Sequence, residues 1–177
     1  MRILRIVAIG FAALVGLAIV AAGIARVVID GPIGPLSGGR LGGEERPAPI
    51  DWSFSDDHPT IAVEVRPDDP HSVTTVCFVA GGELYVPARD AAEKEWTQLA
   101  LADPRARLGI GDAVYPVRLV RVEDAEELAR VARAAAAKYP RLAEDAGSGI
   151  PEGVWIFRAE RRKGGGLRDT VDQRTIR

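Results

Sequence analysis

The side chains best suited to chemistry are few in this chain. There are two histidines, His58 and His71, each next to a proline, and one cysteine, Cys77. Two isolated imidazoles do not make a His-rich metal site, and neither suits a Ser-His-Asp relay. No metal site is expected. Cys77 lies in the apolar run Val76-Cys77-Phe78-Val79. A thiol there reads as a buried packing group rather than a nucleophile. A lone cysteine forms no internal disulfide, so it does not report the redox compartment. The net charge of −2 lacks the dense positive field that nucleic-acid binding requires, and no nucleic-acid partner is expected. No spacing of these residues specifies a catalytic step.

The elements that must position such residues follow from hydrophobic period and punctuation. Ile61, Val63 and Val65 alternate with Ala62, Glu64 and Arg66, which predicts a half-buried strand. Pro67-Asp68-Asp69-Pro70 predicts a turn. The β-branched run Ser72 to Val79 predicts a central strand, and Ala80-Gly81-Gly82 a hairpin into Glu83-Leu84-Tyr85-Val86. A helix follows, with Asp90 as cap and Glu93 three residues on. Asp103-Pro104 ends it. Residues 105–110 and 113–122 alternate again around a Gly111-Asp112 hairpin. Asp124 with Glu127 starts a second helix, whose buried stripe is Leu128, Val131, Ala132, Ala135 and Tyr139, and Pro140 stops it. A last strand is expected over Val154 to Phe157. Six strands joined mostly by hairpins, with two helices between them, predict an α+β fold built as a small antiparallel split β-barrel.

The amino-terminal end has a different character. From Ile6 to Ala25, twenty residues carry no charge. As a helix they reach across roughly 30 Å of hydrocarbon. One N-terminal transmembrane helix over 1–29 is expected, with lipid as its partner. A cleaved signal peptide ending at Gly23-Ile24-Ala25 is the alternative, although its apolar region would be long for that role. Arg2 and Arg5 precede the span, and Arg26 and Arg40 follow it with Asp30 between them. The positive-inside rule then predicts a single-pass membrane protein with its domain on the non-cytoplasmic side. Residues 30–50 are rich in Gly and Pro and predict a linker or an irregular approach to the domain. The domain proper is expected over 51–160, and 161–177 as a basic flexible tail around Gly164-Gly165-Gly166. That tail is the contrary signal for orientation, because basic segments favour anionic cytoplasmic lipid.

The order strand, Gly-Gly hairpin, strand, Lys/Trp helix, Asp-Pro, strand, Gly-Asp hairpin is more specific than its parts. The stretch from Val76 through Gly81-Gly82 and Tyr85-Val86-Pro87-Ala88 to Trp96, then Ala102-Asp103-Pro104 to Gly111-Asp112, resembles the flavin-binding split-barrel superfamily. That group includes pyridoxamine-phosphate-oxidase-like and deazaflavin-dependent nitroreductase-like proteins, and the likeness covers about residues 60–122. The resemblance implies a homodimer, FMN or a deazaflavin as cofactor, and an oxidoreductase-like activity. It also implies a phosphate contact at Arg89 and Lys94, with Thr74, Thr75 and Trp96 near the ring. Each of these residues has a plainer reading. Arg89 and Lys94 can be solvated partners of Asp90, Glu93 and Glu95. The threonine pair can reflect β-propensity, and Trp96 core packing. In the deazaflavin-dependent relatives a Gly/Arg/Ser-Gly turn precedes the second strand. Here the acidic turn 67–70 stands instead, with Arg66 and Ser72 as the remaining donors. The other function consistent with these departures is a non-catalytic barrel that has lost its cofactor and serves as a binding or scaffold module.

Overall fold

The computed structural model describes residues 31–32, 34, 36–140 and 149–162. The expected membrane helix over 1–29 lies outside the described residues, as does the expected tail beyond Arg162. Among the described residues no helix is long and apolar enough to cross a membrane.

The described residues form eight strands, β1 (Glu44–Glu45), β2 (Ile61–Val65), β3 (His71–Thr75), β4 (Phe78–Ala80), β5 (Glu83–Ala88), β6 (Arg105–Ile110), β7 (Ala113–Arg121) and β8 (Trp155–Arg161). Two α-helices accompany them among the described residues, α1 (Glu95–Ala102) and α2 (Ala125–Lys138). The sheet order is β3-β2-β6-β7-β8-β5-β4, with β1 alongside β7. Every pairing on that path is antiparallel, and β1 pairs with β7 in parallel. The fold is α+β, a curled antiparallel half-barrel sheet with two helices.

The run expected as one central strand, Ser72–Val79, is instead two strands on opposite edges of the sheet. A β-branched run specifies extended backbone, not the neighbour it bonds. Here β3 and β4 are separated by only Val76 and Cys77, so the sheet must curl until its two edges nearly meet. Thr75 Oγ1 donates to the Pro87 carbonyl at 3.4 Å across this closure. The hairpins follow their sequences. Gly81 and Gly82 both have positive φ, at 64° and 82°, the combination that the tight turn from β4 to β5 demands and that glycine adopts at least cost.

Alternation fills the inside of the curl. Val63, Leu84, Val86, Leu108, Val117 and Phe157 are fully buried there. A second cluster, Phe78, Tyr85, Val131 and Ile156, lies between α2 and the outer face of β4, β5 and β8. Helix α2 starts as expected, with the Asp124 carboxylate accepting from the Glu127 amide at 2.8 Å. It is fastened by a polar network. The Tyr85 hydroxyl lies 2.8 Å from Glu127 Oε1 and 3.0 Å from Glu83 Oε2. Arg130 donates to that hydroxyl, and Arg158 Nη1 donates to both carboxylate oxygens of Glu127.

Residues 36–46, expected as part of a linker, form a strap packed on the outside of β2, β3 and β6. Gly38 and Ser72 exchange backbone bonds at 2.8 and 2.9 Å. A side chain at Gly38 would collide with the Gly31 carbonyl, so glycine here permits close packing rather than slack. Leu41 is buried, and its amide donates to Glu64 Oε2 at 2.6 Å. Glu64 itself is fully buried and pairs across the strands with Arg107, Nη1 to Oε2 2.9 Å. Its alternation with Val63 and Val65 predicts a solvent-facing side chain; the strap covers it.

Removing one partner of a buried ion pair strands the other charge. Glu64→Ala should therefore lower unfolding stability by about 3–5 kcal/mol. Glu64→Leu with Arg107→Leu should recover much of this, leaving the unpaired Leu41 amide at about 1–3 kcal/mol. Urea unfolding of the two variants decides; equal losses would show that the pair's charge is not what matters.

Burial, then hydrogen bonding to Glu127 and Glu83, holds the Tyr85 phenol above the ordinary tyrosine range. Its stabilising contribution is then complete below about pH 10, the unfolded value, and fades as pH rises toward the higher folded one. Tyr85→Phe should be less stable at neutral pH and should lose stability less steeply above about pH 10. Parallel denaturation series at neutral and alkaline pH measure both slopes.

Candidate functional site

Strand β5 ends at Ala88, and the chain then turns through residues 89–94 into α1. The expected cap is not the observed one. Asp90 takes a left-handed conformation, φ 51°, whereas a capping residue is extended. The helix begins at Glu95, and Lys94 occupies the cap position without a side-chain bond to the first turn. The turn is pinned from below. The Ala91 amide donates to the Gly153 carbonyl at 3.0 Å. The buried Thr97 hydroxyl bonds to the carbonyls of Ala91 and Lys94, the latter at 2.7 Å. Gln98 Nε2 donates to the Ala92 carbonyl at 3.1 Å. What faces solvent is Arg89, Asp90, Ala92, Glu93 and Lys94.

Neither Arg89 nor Lys94 forms an ion pair with a carboxylate among the described residues. The ion pairs formed there belong to other cations. The first amides of a helix have no partner within it, and here no side chain caps them. Two open cations beside an uncapped helix start suit an anion such as a phosphate. The three exposed carboxylates on the same segment oppose it, weakened by solvent screening.

The other expected residues divide. Thr75 is half-buried at the same corner, bonded to Pro87. Thr74 is exposed on the edge strand and, by alternation, points to the opposite face of β3. Trp96 is 5% exposed, its ring 5.4 Å from that of Phe157, and so is committed to the core. The turn 67–70 offers no anion site. Arg66 is held by Asp69, through Nε to its carbonyl at 2.7 Å and Nη2 to its carboxylate at 2.8 Å. Ser72 is fully buried under the strap. Cys77 is buried, and burial pushes its thiol up, as befits a packing group. Among the described residues no group of three His, Cys, Asp or Glu side chains is placed to hold a metal ion.

Sequence reasoning missed two residues at this end of the sheet. Trp155 stands opposite Ala88, one strand over from the start of the turn. The Arg121 guanidinium lies 4.0 Å above the centre of its ring. Only the pairing of strands far apart in sequence brings them together, and nothing local in the sequence announces it.

No protein-family model matches the chain, and no curated protein matches it. Solved structures do. One is provisionally described as a pyridoxamine 5'-phosphate oxidase from Listeria innocua (16% identity, TM-score 0.46, covering 62% of this chain and 89% of that one). Another is an F420-H2 dependent reductase (18%, 0.46, 58% and 95%). A third is a FAD-binding protein from Mesorhizobium loti (14%, 0.46, 62% and 85%). They are of the kinds that the sequence resemblance names. At these identities and scores, what the chain does must be read from its own residues.

Burial separates the expected site residues in a measurable way. Trp96→Ala should cost about 3–5 kcal/mol of stability whether or not a flavin is present. Arg89→Ala and Lys94→Ala should stay within about 0.5 kcal/mol of the parent. Urea titrations of the three variants give the comparison, and a mild effect at Trp96 would return it to the surface.

Proposed function

We propose that this protein is a membrane-anchored, flavin- or deazaflavin-binding oxidoreductase-like protein, with the cofactor phosphate at the 89–94 turn. The observation that carries this reading is the pair of exposed cations, Arg89 and Lys94, without an ion-pair partner among the described residues, at an uncapped helix start. The donor set fits a phosphate: a guanidinium fork, an ammonium and open backbone amides. A bound flavin would supply hydride exchange at its ring. The chain's own contribution is position. Thr97, Gln98 and the Gly153 carbonyl fix the turn, and the left-handed Asp90 sets its direction. The anchor over 1–29, a homodimer and a domain on the non-cytoplasmic side belong to the same proposal. The sequence resemblance and the charge around the apolar segment support them.

A second reading, a cofactor-free scaffold module, is favoured by Asp90, Glu93 and Glu95 on the same segment. A spectrum separates the two. The full chain, purified in detergent and incubated with FMN, should show a bound-flavin band and a thermal shift. Arg89→Ala and Lys94→Ala should each weaken FMN by about tenfold or more, the value of one charge-assisted bond, and leave riboflavin unchanged. A colourless protein, with no thermal shift from riboflavin, FMN or a deazaflavin, favours the scaffold. Equal losses for FMN and riboflavin would remove the phosphate assignment. Protease access to the domain in intact cells tests its side of the membrane.

A further inference from the structure

A separate cleft opens beside the strand ends that carry Arg121 and Trp155. Its volume is about 260 Å³, and Val122, Leu128, Ile150, Val154 and Ile156 line it with those two residues and the carboxylate-bearing Glu123. Five aliphatic side chains and an indole make an apolar wall. Arg121 makes it unusual. Its side chain is 34% exposed, and its one ion contact among the described residues is Glu123 at 3.7 Å. Glu123 is 75% exposed, so that contact is weak. A guanidinium has five N–H donors in a rigid fork. Held over the Trp155 ring, these donors meet no hydrogen-bond acceptor among the described residues. A half-buried fork at an apolar cleft is the arrangement that receives a carboxylate attached to a flat apolar body.

Size narrows the body. Pockets for drug-sized ligands run about 300–1,000 Å³, and this one falls below that range. None of residues 89–94 lines it, so it is separate from the turn proposed above for the cofactor phosphate. A volume of about 260 Å³ suits one ring or two fused rings.

We propose that this cleft binds a small planar aromatic carboxylate. The ring packs against Val122, Leu128, Ile150 and Val154, and the carboxylate displaces Glu123 from Arg121. The proposal does not rest on the cofactor reading. The chain has three tryptophans, and Trp52 and Trp96 are buried at 2% and 5% exposure. Trp155 therefore reports the cleft alone. The full chain, labelled with 5-fluorotryptophan in detergent, should give a Trp155 fluorine resonance, assigned by its loss in Trp155→Phe. Titration with 2-naphthoate should shift that resonance saturably and leave the other two in place. Arg121→Gln should weaken 2-naphthoate by about tenfold or more, as loss of a charged bond does, and leave neutral 2-naphthylmethanol unchanged. The unmoved Trp52 and Trp96 resonances show that each variant is folded. A Trp155 resonance that never saturates would overturn the proposal. So would one that responds equally to naphthoate in Arg121→Gln and the parent protein.

Discussion

The rest of the structure depends on one buried ion pair. Glu64 and Arg107 face each other across β2 and β6, and the Glu64 carboxylate also accepts the Leu41 amide. Arg107 reaches the Leu41 carbonyl and Glu45 as well. A carboxylate and a guanidinium out of water are costly unless their geometry and hydrogen bonds compensate. Here the compensation comes from the strap, so the strap and the pair require each other. Three buried polar atoms around them, Glu64 Oε1, Ser72 Oγ and Arg107 Nε, have no hydrogen-bond partner among the described residues. The cluster is therefore a means of fixing position more than a source of net stability.

Strap and sheet closure together manage the edges. An open sheet leaves rows of unpaired amides and carbonyls. Here β3 is bridged by Gly38 on its outer side, and β1 pairs with residues 113 and 114 of β7, before β8 takes up that strand at Val117. The step from β3 to β4 through Val76 and Cys77 brings the two edges together. The same closure sets the candidate site, because Thr75 contacts Pro87 just before the 89–94 turn, and His71 lies 4.0 Å from Glu95 at the helix start.

What the sequence made legible was local. Alternation located the strands, Gly-Gly and Gly-Asp located the hairpins, and Asp124 with Glu127 located α2. What it withheld was decided at long range. Ile61-Ala62-Val63-Glu64-Val65 reads as a strand with Glu64 in water, because nothing local reveals that residues 23 positions earlier cover it. Asp90 reads as a cap until its φ is known. Arg89 and Lys94 were legible as residue types, through family likeness, but their lack of partners is a matter of geometry. Trp96 and Trp155 are chemically alike in sequence; one fills the core and the other lies at a cleft, because only Trp155 sits where β8 begins.

The strap also changes what the apolar N-terminal segment means for function. A Gly/Pro-rich linker over 30–50 would let the domain swing widely from the membrane. Gly31 is instead buried, 3.3 Å from a Leu41 methyl when given a Cβ, and packs against Gly38. If the proposed anchor over 1–29 is present, only residue 30 stands between it and the buried Gly31, and the domain sits close to the bilayer. From Gly38 the contacts run to Ser72, and its neighbour His71 lies 4.0 Å from Glu95 at the start of α1.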